Sequence, residues 1–388
     1  MTAIGASGNP GLEAFLDAHE ERRARLGLER HLVARAGTAA SESGTALLDL
    51  AGNDYLGLLT HPAVIDGAVA AARAYGGGAG ASRLVTGHLD LHDHLERALA
   101  DHLEAPAALV FSTGYHANLA ALSALTDAES LVVSDAHAHA SLIDGARLSR
   151  AEVAVNRHND VDHVAELLAT RSGRRAVVVV ESVYSVLGDA APLVDLVALA
   201  DAHDATLLVD EAHGLGVVGG RGEGAVAAQG FGGHPRVVVT ATLSKSLAAQ
   251  GGVVAASARV RQHLVNAARA FVYDTGLAPA AAGAALAALD VLRAEPERAD
   301  RARRNAELLA GACRIDPVPG AVLSVPMPGP KEALAGVAQA AAAGVRIGCF
   351  RPPSTPDGDS RLRLTAHAQH TADDLAPALA VLREIIDA

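Results

Sequence analysis

Residues 241–252 read Ala-Thr-Leu-Ser-Lys-Ser-Leu-Ala-Ala-Gln-Gly-Gly, and Lys245 among them follows a run of β-branched residues at 237–240. Of the 32 lysines and arginines in the chain, only Lys245 and Lys331 are lysines. Lysine can lose its proton and attack a carbonyl group, which guanidinium cannot do, so a lysine kept in such a chain is a candidate for chemistry. Lys331 lies in a turn-rich Pro-Gly-Pro-Lys segment and is expected to be solvated. We therefore expect Lys245, at the end of a buried strand, to lie in a functional site, with a solvent-exposed strand end as the alternative.

The segments around this lysine alternate between short apolar strands and helices. Strands are predicted at residues 108–112, 131–134, 153–155, 176–181, 206–210, 236–240 and 252–256, with helices such as 118–125 and 194–203 between most of them. This alternation predicts an α/β fold with a mostly parallel sheet covered by helices on both faces. Ligands of such sheets bind beyond the carboxyl ends of the strands. Polar residues close or follow the strands there, namely Ser112, Glu181, Asp210, Thr242 and Lys245.

The two ends of the chain differ from this central region. Residues 11–33 have the pattern of a charged amphipathic helix, and strands at 321–325, 345–349 and 361–365 alternate with helices after the helix at 278–293. A Glu-Pro-Glu sequence at 295–297 interrupts the helical pattern. We predict an N-terminal segment over residues 1–45, a large domain over 46–294 and a smaller C-terminal α+β domain over 295–388.

Composition restricts the class of protein. Half of the residues are hydrophobic and the net charge is -12, which predicts a folded protein with a large core and argues against nucleic acid as a partner. The two cysteines, Cys313 and Cys349, make neither a disulfide framework nor a metal-ligand cluster. The sequence has neither the pattern of a secretory leader nor a membrane-spanning run, so we expect a cytoplasmic protein with no membrane partner.

Three local patterns suggest other chemistries. Residues 214–219, Gly-Leu-Gly-Val-Val-Gly, match the spacing of a dinucleotide site, but the glycine-rich residues after them cannot form the helix that holds the pyrophosphate. An NAD-dependent dehydrogenase is therefore a disfavoured alternative. Residues 210–213 imitate the acidic box of an ATPase, yet neither lysine follows a glycine as a phosphate-binding loop requires. For His88, His92 and His94, a solvated helix face is favoured over a metal site.

Several polar residues are expected near Lys245. A cofactor that bonds to lysine through an aldehyde needs a carboxylate beside its ring nitrogen, and Asp210 ends a buried strand in a position suited to that role. Its phosphate needs backbone N–H groups at a helix N-terminus, which residues 112–116 supply. Thr242 adds a hydroxyl group, and His139 adds a flat ring that could stack on the cofactor. These residues support one another as one cofactor site.

Seven short stretches of the sequence are typical of one enzyme family. They are Asn-Asp-Tyr-Leu-Gly-Leu at 53–58, Gly-Ala-Ser-Arg-Leu-Val-Thr-Gly at 80–87, His-Ala-Ser-Leu at 139–142, Asp-Glu-Ala-His-Gly at 210–214, Thr-Leu-Ser-Lys at 242–245, Phe-Val-Tyr-Asp-Thr-Gly-Leu-Ala-Pro at 271–279 and Arg-Pro-Pro at 351–353. Through them the chain resembles the α-oxoamine synthases, which are fold-type-I pyridoxal-phosphate enzymes. The resemblance covers nearly the whole chain.

The resemblance implies roles for the residues of the cofactor site. Lys245 would form the Schiff base with pyridoxal 5'-phosphate, and Asp210 would partner the ring nitrogen. His213 would hydrogen-bond the phenolic oxygen, and His139 would stack on the ring. Further cofactor contacts are implied for Gly114, Tyr115, Ser185, Thr242 and, from the neighbouring subunit of a homodimer, Thr275.

The resemblance also implies a substrate site and a reaction. Substrate contacts are implied for Arg30, Asn53, His139, Arg351, Ser354 and Arg363, among which the arginines suit carboxylates. L-Alanine would condense with a pimeloyl thioester, carried by coenzyme A or acyl carrier protein, with loss of CO2 and the thiol, as a step of biotin biosynthesis. Lys245 would remove the Cα proton, and His139 could orient the acid group or donate a proton. Glycine C-acetyltransferase, 5-aminolevulinate synthase, serine palmitoyltransferase and a non-catalytic relative are the alternatives.

Overall fold

A computed structural model describes residues 10–26, 29, 32, 34, 40–42, 45–352, 355 and 357–387. The chain divides into two compact units, one up to Ala46 and one from Leu47 to Ala388. In the first unit, helix α1 (Pro10–Leu26) is exposed at every position from Gly11 to Arg25, and strand β1 (Ala40–Glu42) follows it. Strand β2 spans Thr45–Asp49 at the division.

A seven-stranded sheet forms the centre of the second unit, with the strand order β3-β9-β8-β7-β6-β4-β5. Its strands are β3 (Ala107–Phe111), β4 (Leu131–Asp135), β5 (Glu152–Asn156), β6 (Ala176–Glu181), β7 (Thr206–Asp210), β8 (Val237–Thr242) and β9 (Gly252–Ala256). Strand β9 runs antiparallel to both of its neighbours, and all other pairs are parallel. The predicted mostly parallel sheet is confirmed.

Helices cover both faces of this sheet. They are α2 (Pro62–Tyr75), α3 (Asp90–His102), α4 (Gly114–Leu125), α5 (Ala140–Ser149), α6 (Val161–Ala169), α7 (Leu193–Ala202), α8 (Ala225–Ala228), α9 (Ala258–Ala267), α10 (Arg269–Val272) and α11 (Pro279–Ala294). Successive residues of one strand enter different apolar clusters, as Leu207 and Leu208 of β7 do. Because side chains alternate across a strand, the two clusters are the cores on opposite faces.

A third apolar cluster lies in the C-terminal part of the chain, among α12 (Glu297–Cys313), α13 (Pro330–Ala342) and α14 (Ala372–Asp387). Its strands are β10 (Val322–Met327), β11 (Val345–Arg346), β12 (Gly348–Phe350) and β13 (Ser360–Thr365). Strand β13 pairs antiparallel with β10 and β12, and β11 pairs parallel with β2. The α+β texture of this region agrees with the predicted fold class, while the boundary at residue 294 stays a prediction. The predicted strand at 345–349 is two strands, interrupted at Ile347.

Of the three histidines for which the sequence favoured a solvated helix face, His88 and His94 are exposed, but His92 is not. His92 is fully buried, and its Nε2 lies 2.8 Å from the carbonyl oxygen of Leu277. His102 is buried as well, with Nε2 3.0 Å from the carbonyl oxygen of Gly222. Within the described ranges, no group of three or more His, Cys, Asp or Glu side chains could hold a metal ion, and no helix there is long and apolar enough to cross a membrane.

Candidate cofactor and active site

The carboxyl ends of three neighbouring strands bring the predicted site residues together. Glu181 at the end of β6 is in register with Asp210 at the end of β7, and Asp210 is in register with Thr240 of β8. The chain leaves β8 at Thr242 and reaches Lys245 three residues later. A cavity of about 260 Å³ opens at this edge, and seven predicted cofactor residues line it: Gly114, Tyr115, His139, Asp210, His213, Thr242 and Lys245.

Lys245 is positioned and tuned by its surroundings. Its Nζ lies 2.7 Å from Nε2 of His213. Burial lowers the pKa of the Lys245 amine to about 8, with Arg363 acting in the same direction, while Asp210 and Glu181 oppose the shift. Because the neutral amine is the nucleophile, this lysine is far more reactive near neutral pH than a solvated one.

His213 joins Lys245 to the interior of the protein. Its ring is buried, and its Nδ1 lies 2.7 Å from the hydroxyl oxygen of Tyr55. Burial holds the pKa of His213 well below its ordinary value, and the positive charges of Lys245 and Arg363 add to the effect. The imidazole is therefore neutral near neutral pH, with one protonated nitrogen.

The glycines after His213 serve the fold of this loop. A Cβ atom on Gly214 would lie 1.8 Å from Oε2 of the buried Glu211, and Gly216 has a φ of +85°, in the left-handed region. The next helix, α8, has only four residues. Packing thus accounts for the glycine spacing that imitates a dinucleotide site, and that alternative loses its one support.

Asp210 is held as a hydrogen-bond acceptor at both oxygens. The backbone N–H of Ala212 donates to Oδ1 at 2.8 Å, and Nδ2 of Asn118 donates to Oδ2 at 2.7 Å. Asn118 also donates to the hydroxyl of Ser141 at 2.8 Å, which ties α4 and α5 to the same carboxylate. A carboxylate buried in this way can hold a ring nitrogen in its protonated form.

Glu181 is a site residue to which the sequence assigned no role, although its position at a strand end marked it. Burial raises the pKa of its carboxyl group to about 8, and the negative charge of Asp210 raises it further. Oε2 accepts the backbone N–H of Ser185 at 3.0 Å, while Oε1 is buried without a hydrogen-bond partner among the described residues. Near neutral pH the Glu181 carboxyl group is therefore largely protonated.

The opposite end of the cavity suits a phosphate group. Thr113 is the N-cap of α4, and its Oγ1 accepts the backbone N–H of His116 at 3.1 Å. A Cβ atom on Gly114 would lie 2.8 Å from the Cβ of Thr242, and one on Gly252 would lie 2.3 Å from the carbonyl oxygen of Thr113. Glycine at these positions brings the start of α4 close to β8 and β9. An N-terminal helix end beside a hydroxyl group is a suitable anion site.

His139 borders the same cavity as the N-cap of α5. Its Nδ1 lies 2.7 Å from the hydroxyl oxygen of Ser141, which fixes the ring orientation. Burial lowers the pKa of His139, against the opposing effect of Asp210. A neutral, oriented ring over the carboxylate end of the cavity is suited to stacking on an aromatic cofactor.

The predicted substrate residues differ in their surroundings. Nη2 of Arg363 is 3.5 Å from Oδ1 of Asn53, and its Nε donates to the carbonyl oxygen of Ser185 at 2.7 Å. Ser185 therefore contacts Arg363 and Glu181 and does not line the cavity. Arg351 follows β12 and is half-buried. Arg30 and Ser354 lie outside the described residues.

Tyr115 lines the cavity from an exposed position, whereas Thr275 does not line it. The side chain of Tyr115 is 42% exposed, and its hydroxyl donates to Asp144 on α5. Thr275 forms an isolated antiparallel bridge with Ser82 and is not among the cavity-lining residues of the described chain. Thr275 itself is exposed.

The residues at this site fit pyridoxal phosphate. Lys245 supplies the amine for the aldehyde, Asp210 a carboxylate for the ring nitrogen, and the start of α4 with Thr242 donors for the phosphate. Oε1 of Glu181, which has no hydrogen-bond partner among the described residues, leaves polar capacity in the cavity, and the absence of a Cβ at Gly114 lets the start of α4 lie close to Thr242.

Comparisons with known proteins agree with this assignment. Residues 45–382 match the family model described as aminotransferase class I and II. The 8-amino-7-oxononanoate synthase of Mycolicibacterium gilvum is 54% identical over 374 residues, which are 96% of this chain and 97% of that protein. The 8-amino-7-oxononanoate synthase of Mycolicibacterium smegmatis is 53% identical over 96% of both chains.

Solved structures of related enzymes have the same fold. A serine palmitoyltransferase from S. paucimobilis with a bound PLP adduct of myriocin is 30% identical, with a TM-score of 0.89 over 97% of this chain and 98% of that chain. One from Sphingomonas wittichii is 28% identical, with a TM-score of 0.88 over 99% and 98%. The 8-amino-7-oxononanoate synthase of Francisella tularensis is 25% identical, with a TM-score of 0.74 over 88% and 98%.

The chain belongs to the class I and II aminotransferase family, and its fold is that of fold-type-I pyridoxal-phosphate enzymes. Within the family it is a pyridoxal-phosphate-dependent acyltransferase, similar over nearly its whole length to 8-amino-7-oxononanoate synthases. The predicted family resemblance, enzyme class and cofactor are confirmed.

Proposed function

We propose that this enzyme condenses L-alanine with a pimeloyl thioester, releasing CO2 and the free thiol, to form 8-amino-7-oxononanoate for biotin biosynthesis. The observation that carries the proposal is the placement of Lys245. Its amine has a pKa of about 8 and lies 2.7 Å from a neutral His213, in the cavity that also contains Asp210. The names of the relatives at 52–54% identity support this choice of substrates among those of the family.

When bound, pyridoxal phosphate supplies an electron sink for the pair left at the Cα of the amino acid. The side chains of this protein supply the rest. Asp210 would accept a hydrogen bond from the ring nitrogen, and Glu181 beside it, with a pKa of about 8, stays largely protonated near neutral pH. Lys245, as a free amine with a pKa of about 8, can accept a proton at Nζ and return it near neutral pH.

Arg363 is suited to the carboxylate of L-alanine. Its guanidinium group is buried, and the carbonyl oxygen of Ser185 and Oδ1 of Asn53 orient it. The 3.5 Å contact to Asn53 is weak, so one edge of the guanidinium group can turn to a carboxylate. His139 at the same cavity can contact the acid group or a proton donor. Arg30 and Arg351 are the candidates for the distal carboxylate of the pimeloyl chain.

We also propose that the enzyme acts as a symmetric homodimer in which Thr275 contacts the cofactor phosphate of the partner subunit. Thr275 does not line the cavity of its own chain. Large apolar side chains are exposed in the segments near it, namely Leu84 at 52%, Val85 at 75% and Tyr273 at 73%, and such residues are typical of an interface. Mixing a Thr275→Ala chain with a Lys245→Ala chain tests the pairing. If the site is shared, the mixed dimer contains one site with both Lys245 and Thr275, and activity is recovered. No recovery contradicts a shared site.

The substrate proposal is tested with purified, cofactor-loaded enzyme. L-Alanine, glycine and L-serine are each paired with pimeloyl-coenzyme A, pimeloyl-acyl carrier protein and palmitoyl-coenzyme A, and the products are measured by mass spectrometry together with thiol release. We expect 8-amino-7-oxononanoate from L-alanine and at least one pimeloyl donor. Preferred use of L-serine with the palmitoyl donor, or of glycine with any of the acyl donors, would overturn the proposal.

A further inference from the structure

Tyr55 connects the two ends of the active site through one hydroxyl group. The side chain is fully buried, and its oxygen lies 2.7 Å from Nδ1 of His213 and 2.9 Å from Oδ1 of Asn53. Asn53 in turn lies against Arg363, and His213 lies against Lys245. A chain of five polar side chains thus runs from the proposed carboxylate-binding arginine to the catalytic lysine.

The hydroxyl of Tyr55 has a single proton for two acceptors. Burial raises the pKa of Tyr55 to about 12, so the proton stays on the oxygen over the working pH range. His213 is neutral and carries one N–H. The direction in which Tyr55 donates therefore decides which nitrogen of His213 is protonated.

The hydrogen-bond protons of this chain of side chains can be arranged in two ways. In the first, Lys245 donates to Nε2 of His213, Nδ1–H donates to the oxygen of Tyr55, and Tyr55 donates to Asn53. In the second, Tyr55 donates to Nδ1 and Nε2 carries the proton, so that His213 becomes a donor toward the cavity. Each arrangement keeps one proton on His213 and one on Tyr55.

We propose that Tyr55 is a positioning residue that sets the tautomer of His213, with Nδ1 protonated in the cofactor-free protein and Nε2 protonated when pyridoxal phosphate is bound. The reason lies in Lys245. Near neutral pH the free lysine is mainly an ammonium group, which requires an acceptor at Nε2. With the cofactor bound, that nitrogen would be bonded to the cofactor and would no longer donate, which would leave Nε2 of His213 to donate to a cofactor oxygen. This inference rests on the proposed function of the site and deepens it.

The same geometry assigns a role to Asn53. Its Oδ1 competes with His213 for the hydroxyl proton of Tyr55, and Arg363 is its other donor. When Asn53 is removed, Tyr55 has His213 as its only acceptor in this chain. The protonation of the imidazole is thereby linked to the end of the site where the amino-acid carboxylate is proposed to bind.

The test is ¹⁵N NMR of the imidazole nitrogens of the whole protein, with and without pyridoxal phosphate. The His213 signals are identified among the 18 histidines by their absence from a His213→Gln variant. We expect protonated Nδ1 without the cofactor and protonated Nε2 with it. In Tyr55→Phe the loaded protein shows both tautomers, and the dissociation constant of pyridoxal phosphate rises about 3–10-fold, as for one hydrogen bond lost.

Two further variants make the result specific. Asn53→Ala is expected to shift the cofactor-free protein toward protonated Nε2. Tyr184→Phe is the matched control, because Tyr184 is also a buried tyrosine but packs on His158 at 4.4 Å between ring centroids; it should leave the His213 signals unchanged. Unchanged tautomers in both Tyr55→Phe and Asn53→Ala would overturn the inference. A failure of the substrate proposal would leave these NMR signals as expected, so the two are distinguishable.

Discussion

Glu181 and Asp210 are in register at the carboxyl ends of two neighbouring strands, and burial together with the negative charge of Asp210 raises the pKa of the Glu181 carboxyl group to about 8. A buried acid beside a carboxylate keeps its proton to a higher pH. Asp210 differs from Glu181 in its partners, because it accepts hydrogen bonds from Ala212 and Asn118 at its two oxygens, whereas Oε1 of Glu181 has no partner among the described residues.

Replacing each acid by its amide separates their roles. Glu181→Gln keeps the shape and neutrality of a protonated acid, so turnover should stay within about tenfold of wild type, whereas Asp210→Asn should lower it by about 10²–10⁴-fold. Steady-state kinetics with saturating cofactor measure both. A loss in Glu181→Gln as large as that in Asp210→Asn would mean that Glu181 carries the charge.

The same Glu181 variant changes the pH dependence of stability. The folded protein keeps the Glu181 proton up to a pKa of about 8, while the unfolded chain loses it near the ordinary glutamate pKa of 4.5. Stability from this group is therefore fully present below about pH 4.5 and declines as the pH rises through about 8. Denaturant unfolding of wild type across this window should show a decline that is smaller in Glu181→Gln. An equal decline in both proteins would contradict the raised pKa.

Gly114→Ala should weaken cofactor binding. Alanine favours a helix over glycine, but the added Cβ would lie 2.8 Å from the Cβ of Thr242 and push the start of α4 away from β8. We expect the dissociation constant of pyridoxal phosphate to rise at least tenfold, which corresponds to a loss of about 1.4 kcal/mol of binding free energy. Gly77→Ala is the control, because its Cβ meets no atom within 4 Å. Similar constants for the two variants would show that the close approach has no role.

His158 should stabilise the folded protein in a pH-dependent way. Burial alone would lower its pKa, but hydrogen bonds to Asp135 at 2.7 Å and Asp189 at 2.8 Å raise it to about 9. The stabilisation is fully present below the ordinary histidine pKa of 6.5 and is lost as the pH rises through about 9. A shift of this size corresponds to about 3 kcal/mol.

Denaturant unfolding of His158→Gln measures this contribution. The variant should be less stable than wild type at about pH 6, and the difference should shrink toward about pH 10. His94→Gln, an exposed position on α3, is the control and should differ little from wild type at either pH. A difference for His158→Gln that stays constant with pH would indicate that the histidine acts by packing alone.

Cofactor uptake should reflect the lowered pKa of Lys245. The neutral amine attacks the aldehyde, so the rate of uptake by cofactor-free protein should rise by about tenfold per pH unit below the pKa and level off above it. The rise should end near pH 8. Stopped-flow absorbance at several pH values measures the rate. A rate that keeps rising above pH 8, up to the ordinary lysine pKa of 10.5, would contradict the lowered pKa of Lys245.

The sequence predicted the central sheet and most of the cofactor site because both depend on local patterns. Strand and helix alternation determines which segments enter the sheet, and the carboxyl ends of parallel strands collect Asp210, Thr242 and Lys245 at one edge. Residues next to strand ends therefore have predictable neighbours. The substrate end was harder to predict, since Arg351 follows β12 and Arg363 lies within β13. Periodicity does not define how these strands of the C-terminal region pack.

What the sequence missed depends on contacts between distant residues. Tyr55 lies 158 positions from His213, and its role follows only from a 2.7 Å contact. His92 looked solvated because its neighbours are charged, yet a carbonyl oxygen 185 positions away covers it. The antiparallel direction of β9 was also open, because a buried strand reads the same in either direction.

Borohydride reduction of the loaded enzyme tests the central claim most directly, since it makes the bond between the cofactor and its lysine permanent. With only two lysines in the chain, peptide mass spectrometry distinguishes the two possible sites. The account predicts a pyridoxyl group on the peptide that contains Lys245 and none on the peptide that contains Lys331. Modification of Lys331, or of neither lysine, would contradict it.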